Sequence, residues 1–201
     1  MMTSTHLLET LAPSQKSTRW FLKTVSAVAT LLIVWAVAGL FLYVAPQADS
    51  PKHADVLFVL GPPDQRMEHA EELMKQGYAP TLAVSVPLGK DGRFDAPICG
   101  SNRPYRVICF NPEPFTTQGE ARALSDLSLR YGWRSADVLT AQFHLARARV
   151  ILDRCYAGDL TMVADRRRLP LFSASDFTGS WIYQYMYQSA AFVKVAVNPG
   201  C

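Results

Sequence analysis

From Thr24 to Ala45 the chain reads TVSAVATLLIVWAVAGLFLYVA, 22 residues without a charge. As a helix, a run of this length crosses a hydrocarbon core about 30 Å thick. Trp20 and Phe21 at one end and Tyr43 at the other suit a membrane–water boundary. A cleaved signal peptide is the alternative, but it has a shorter apolar core with a small-residue cleavage site just after it. Here the core is longer, and AVAG, residues 36–39, lies inside it. The expectation is an uncleaved transmembrane anchor over residues 20–45, in contact with the lipid bilayer.

The flanks set an expected orientation. Lys16, Arg19 and Lys23 precede the span, and only Lys52, beside Asp49, closely follows it. The positive-inside rule then makes residues 1–19 a short cytoplasmic tail and places the rest of a single-pass plasma-membrane protein outside. All four cysteines, Cys99, Cys109, Cys155 and Cys201, follow the span. An oxidising compartment lets disulfides persist there. Of the possible pairings, the nearest in sequence are Cys99–Cys109 and Cys155–Cys201; buried free thiols are the alternative. No CxxC is present, so no zinc or thioredoxin-type site is expected.

Composition narrows the function classes. The chain is 49% hydrophobic and 18% charged, which excludes wholesale disorder. A net charge of +3, without a basic stripe interleaved with aromatics, gives no case for a nucleic-acid partner. The run Arg166-Arg167-Arg168 reads as a solvated loop.

After a polar, proline-containing linker, residues 46–53, strand and helix signals alternate over residues 54–201. ADVLFVL (54–60) has the continuous apolar character of a strand buried on both faces. GPPD follows as a turn with Asp64 as a helix cap, then a helix with Met67, Ala70, Leu73 and Met74 on one face and Gly77 at its end. TLAVSV (81–86) is a second strand, followed by a long polar insertion at the surface. YRVICF (105–110) is a third strand, and a helix with Thr117 and Glu120 as capping box and Gly132 as terminator comes next. ADVLT (136–140), a helix from His144 through Cys155, LTMV (160–163) and a final aromatic-rich helix complete the pattern. Those aromatics read as core and lid. The fold class is α/β, a doubly wound parallel five-stranded sheet preceded by one transmembrane helix.

In such sheets ligands bind beyond the carboxyl ends of the strands where strand order reverses. With the order 3-2-1-4-5, the loops GPPDQR and TAQFH meet there, and the helix starting near Thr117 can reach the same rim. His144 and Arg147 share one face of a first helical turn. Cations oppose the helix dipole at that end, so either an anion faces them or they begin an ordinary solvated helix. Arg66 raises the same question after the first strand, unless Asp64 pairs with it. Arg149 is expected to pair with Asp153 on the outer face, and His69 to be structural. Thr116 and Thr117 are caps that can also offer hydroxyls to a ligand. Glu120 and His144 are the available general acid/base pair. No G-x-S-x-G, P-loop or G-x-G-x-x-G motif is present.

At these residues the chain resembles the ElyC/SanA/YdcF family. The resemblance runs from ADVLFVLGPPDQRMEHAEELMKQGYAPTLAVS through PEPFTTQGEARAL to DVLTAQFHLARAR, most of residues 54–155. Gly61, Arg66 and Ala70 match a strand end and first helix. Thr116, Thr117 and Glu120 match a threonine-rich stretch with a following acid. Thr140, His144, Arg147 and Ala148 match the motif after the fourth strand. Many members carry Gly-Gly-Gly where this chain has Gly61-Pro62-Pro63, and Ser-Gly-Gly where it has Ser85-Val86-Pro87. Prolines remove backbone donors that glycines would offer a phosphate. The resemblance implies a Rossmann-like domain and, in membrane-anchored members, a cell-envelope role linked to peptidoglycan synthesis and to barrier function against vancomycin.

Two functions remain open from sequence. One is an envelope enzyme acting on a phosphorylated or lipid-linked ligand, with Gly61, Arg66, Thr116, Thr117, Thr140 and Arg147 binding it and His144 and Glu120 exchanging protons. The other is a non-catalytic scaffold or regulatory binding protein. A soluble cofactor-dependent transferase ranks third, because the chain carries an anchor.

Overall fold

The computed structural model describes residues 15–201, with side-chain surroundings from Ser17. The expected cytoplasmic tail therefore lies mostly outside the described residues, although Gln15–Arg19 are already helical. The chain divides into two units, residues 1–38 and 39–201. In the first, helix α1 (Gln15–Gly39) begins the apolar segment, which a π-helical turn (Leu40–Val44) continues. The helical stretch Ser17–Val44 is long and apolar enough to cross a membrane. Its exposed leucines and valines suit a hydrocarbon surround.

The second unit is built on strands β1 (Val56–Val59), β2 (Thr81–Ser85), β3 (Arg106–Phe110), β4 (Ser135–Ala141) and β5 (Asp159–Asp165). All neighbouring pairs are parallel, in the order β3-β2-β1-β4-β5. The expected order is therefore present, with its reversal at β1 and β4. β1 and β2 are buried at every position, which explains their unbroken apolar runs. Alternate β1 side chains feed two cores, Val56 and Phe58 into one and Leu57 and Val59 into the other. Helices α3 (Thr117–Tyr131) and α4 (Leu145–Cys155) supply Ala121, Leu124, Leu145 and Leu152 to the first core. Helix α2 (Met67–Lys75) covers the second through Ala70, Leu73 and Met74, joined by Ala96 and Ile98 from the surface insertion.

Gly77 and Gly132 follow α2 and α3 with φ of 78° and 72°, a backbone region that favours glycine, as the terminator reading requires. Three local expectations change. Asp64 does not cap α2: the cap position is Arg66, whose N–H donates to the Pro63 carbonyl at 2.7 Å. Arg149 pairs not with Asp153 but with Asp49, at 2.8 Å. Helix α5 (Trp181–Val197) buries Gln184 and Gln188 rather than its aromatic rings, so its aromatics are not core.

Residues 46–53 are also more than a linker. Asp49 N–H donates to the Met162 carbonyl at 2.9 Å, and its carboxylate accepts the Met162 N–H at 2.8 Å. Lys52 N–H donates to Asp137, buried in mid-strand, at 2.8 Å. This segment is a strap laid on β4 and β5. Both nearest-neighbour disulfides are formed, Cys99–Cys109 and Cys155–Cys201. The second holds the last residues against α3, where Arg122 donates to the Cys201 carbonyl at 2.7 Å.

The two disulfides close loops of unequal length, with sequence separations of 10 and 46. Chain entropy assigns about 3 kcal/mol to the shorter and about 4 kcal/mol to the longer. Cys155→Ser/Cys201→Ser should therefore lower Tm more than Cys99→Ser/Cys109→Ser, as thermal melts of the oxidised proteins would read.

Candidate functional site

A cleft of about 810 Å³ opens beyond the carboxyl ends of the strands. Its walls come from the segments after β1, before α3 and after β4, and from α5. Gly61, Arg66, Thr116, Thr117, Glu120, His144 and Arg147 all line it. Thr140, fully buried at the end of β4, stands behind them and reaches the cleft only through His144.

The start of α3 places three of these groups. Thr116, not Thr117, is the cap: its backbone is extended and its hydroxyl accepts the Gly119 N–H at 3.2 Å. A side chain at Gly119 would put its Cβ 2.0 Å from the Pro114 carbonyl oxygen, so glycine is what lets residues 113–116 fold over this turn. With the cap supplied by Thr116, Thr117 and Glu120 are released from the expected capping box. Thr117 turns to His144, and Glu120 accepts the Gly61 N–H at 2.6 Å.

His144 bridges two threonines. Its Nδ1 lies 3.0 Å from Thr140 Oγ1 and its Nε2 lies 3.2 Å from Thr117 Oγ1. Burial, with Arg147 and Arg66 nearby, holds its pKa well below the usual range, so the ring is neutral at physiological pH. A neutral imidazole has one N–H, so one threonine accepts from it and the other donates to it. The result is a hydroxyl–imidazole–hydroxyl relay ending at Thr117 on the cleft wall.

Arg66 is only 7% exposed. Its Nη1 donates to the carbonyls of Leu60 at 2.8 Å and Pro62 at 2.5 Å, while its buried Nε has no partner. Arg147 donates through Nε to Gln188 of α5 at 2.9 Å. Among the described residues neither guanidinium has a carboxylate within ion-pair distance. In particular, Asp64 does not pair with Arg66. Burial lowers both pKa values from a very high starting point, and both groups remain cationic.

Glu120 is the nearest compensation. Burial pushes its carboxyl up to about 7, against the Gly61 N–H, the Ser85 hydroxyl, Arg66 and Arg147, which all favour ionisation. The Ser85 hydroxyl, fully buried, acts on Glu120 less than the Gly61 N–H does and more than either arginine. Asp165 and Asp176 also line the cleft but are held below the ordinary range. For Asp165, hydrogen bonds from His69 and Arg167 outweigh burial; for Asp176, the Thr178 hydroxyl and Gly179 N–H lower it. No cluster of metal-ligating side chains occurs among the described residues.

Sequence reasoning did not nominate Gln184, Gln188 or Tyr187. The signal was available: two glutamines four residues apart in an otherwise apolar helix, both of which need buried partners. Gln188 finds Arg147 and Gln184, the latter at 3.2 Å.

The Glu120 carboxyl has a testable cost. In the unfolded chain it ionises near the ordinary glutamate value of 4.5, in the folded chain at about 7. Its contribution to stability is therefore complete below about 4.5 and is lost as pH rises towards 7. Glu120→Gln keeps an acceptor for Gly61 and removes the charge. Relative to the wild type, this variant should gain up to roughly 3 kcal/mol at about pH 8 and nothing at about pH 4. Denaturant titrations at the two pH values would show it, and equal gains at both would refute the buried-charge account.

Comparison with protein-family models, with curated proteins and with solved structures gave no match for this chain.

Proposed function

We propose that the protein is a membrane-anchored envelope protein of the ElyC/SanA/YdcF type whose cleft binds a phosphorylated ligand. The observation that carries this reading is Arg66, buried, and Arg147, half-buried, both lining the cleft without a carboxylate at ion-pair distance among the described residues. Uncompensated buried cations cost several kcal/mol, and an anion with several acceptor oxygens offsets that cost. The Arg66 Nε supplies an unused donor for it. Glu120, protonated below about 7, leaves both positive charges available to the ligand.

For turnover of a phosphate ester or pyrophosphate, proton exchange falls to Glu120, because its pKa suits both donation and acceptance near neutral pH. His144 then acts through Thr117, orienting that hydroxyl towards the ligand. The anchor and the disulfides favour a domain outside the cytoplasm, where lipid-linked peptidoglycan intermediates and lipid carriers are ligands of suitable charge.

A second reading, a non-catalytic binding protein, has its own support. The Gly61-Pro62-Pro63 stretch after β1 offers no free N–H to a phosphate, since the Gly61 donor is taken by Glu120 and Pro62 and Pro63 have none. Calorimetric binding together with hydrolysis of a phosphate-ester panel separates the two. Both readings need the ligand, and only the enzyme needs Glu120 and Thr117 for product formation.

Sulfate, which does not titrate near neutrality, tests the anion site itself. Arg147→Gln should weaken sulfate binding about tenfold, the loss expected for a charge-assisted hydrogen bond. Wild-type affinity should fall as pH rises through about 7, because Glu120 gains a negative charge there, and Glu120→Gln should abolish that fall. Unchanged sulfate affinity in Arg147→Gln would defeat the reading. Orientation is tested separately: alkaline phosphatase fused after Cys201 should be active in cells, since it folds only outside the cytoplasm.

A further inference from the structure

Helix α5 presents a second surface, turned away from the cleft. Ile182, Met186, Ala190, Val193 and Val197 recur every three or four residues, so they form one stripe along the helix. All five are exposed, Met186 by 60% and Val193 by 64%. At the amino end the stripe is extended by exposed Leu171, whose carbonyl accepts the Ile182 N–H at 3.2 Å. Beside it an aromatic row runs from Phe172 to Phe177 to Tyr183 to Tyr187, with successive centroids 6.1, 5.6 and 5.6 Å apart. A contiguous apolar surface of this kind is not an ordinary solvated helix face.

Its position indicates what covers it. The adjoining side of α5 holds the π-helical end of the apolar segment: Tyr43 meets Tyr185 edge-on at 5.2 Å and bonds Ser189 at 3.2 Å. That same turn exposes Phe41 by 65%. The stripe thus lies on the helix that packs against the π-helical turn in which the apolar stretch ends. Lys194, on the cleft side of α5, and Arg166 and Arg168 before the helix are exposed cations, the charge that an anionic lipid interface attracts.

We infer that the apolar stripe of α5 docks in the bilayer interface, with its opposite face forming the wall of the cleft. Gln184 and Gln188 face the cleft from the helix whose other side meets lipid. A ligand with a polar head in the cleft can then keep an apolar tail in the bilayer, passing over the rim at Tyr187. The docking inference rests on the reading of Ser17–Val44 as a membrane anchor and not on the identity of the anion.

The test uses the full chain in nanodiscs of phosphatidylethanolamine and phosphatidylglycerol. The photocrosslinker p-benzoylphenylalanine is placed singly at Met186, Val193, Phe41 and Leu129, the last an 83% exposed residue of α3. Retention of the Cys155–Cys201 disulfide checks folding, with Ile182 as a substitute position on the stripe. Lipid adducts at Met186 and Val193, severalfold above Leu129 and comparable with Phe41, are expected. Lipid adducts at Phe41 alone would overturn the docking while leaving the anchor intact. Crosslinks from Met186 to a second copy would overturn it in favour of a dimer face. Absence of adducts at Phe41 as well would remove the anchor and the docking together. None of these outcomes touches the sulfate test, so the two readings fail separately.

Discussion

Glu120 holds the Gly61 N–H at 2.6 Å, and much of the site's arrangement follows from that one bond. It joins the first turn of α3 to the end of β1, one of the two strands at which the sheet order reverses. The space is tight: a Cβ at Gly61 would stand 3.2 Å from Phe115 and 3.4 Å from Glu120 itself. Glycine there lets the carboxyl approach the backbone, and the carboxyl in turn stands near the buried Arg66 and the half-buried Arg147 as their counter-charge. Because its pKa is near 7, that counter-charge is partial at neutral pH. The cavity therefore stays net positive.

The architecture was legible because its signals are local. ADVLFVL and TLAVSV announce strands covered on both faces, and Gly77 and Gly132 stop helices by a conformation that other residues rarely adopt. The site was legible as a set of residues but not as a set of roles. Two adjacent threonines precede Gly119 and Glu120, and spacing alone allows either to cap. The partner that decides is His144, 27 residues further on, which draws Thr117 away and leaves Thr116 to the helix.

Other misreadings share that cause. Asp153 stands four residues from Arg149, yet the ion pair goes to Asp49, 100 residues away in sequence. The strap that carries Asp49 looks like a linker because its polar residues are satisfied by strand edges rather than by neighbours. In α5 the abundance of aromatics obscured two glutamines that carry the helix's buried polar contacts. Each case sets a short-range rule against a tertiary partner, and the partner wins because it is buried and the short-range alternative is solvated.

The strap also sets how far the domain can travel. Eight free residues, 46–53, would reach almost 30 Å when extended. With Asp49 fastened to β5 and α4, only the five residues after Val44 remain between the helix end and the first fixed point, a reach of about 17 Å. Gln142 also donates to the Val44 carbonyl, which shortens the leash again. The sheet is thereby held within that short reach of Val44, the last residue of the apolar helical stretch.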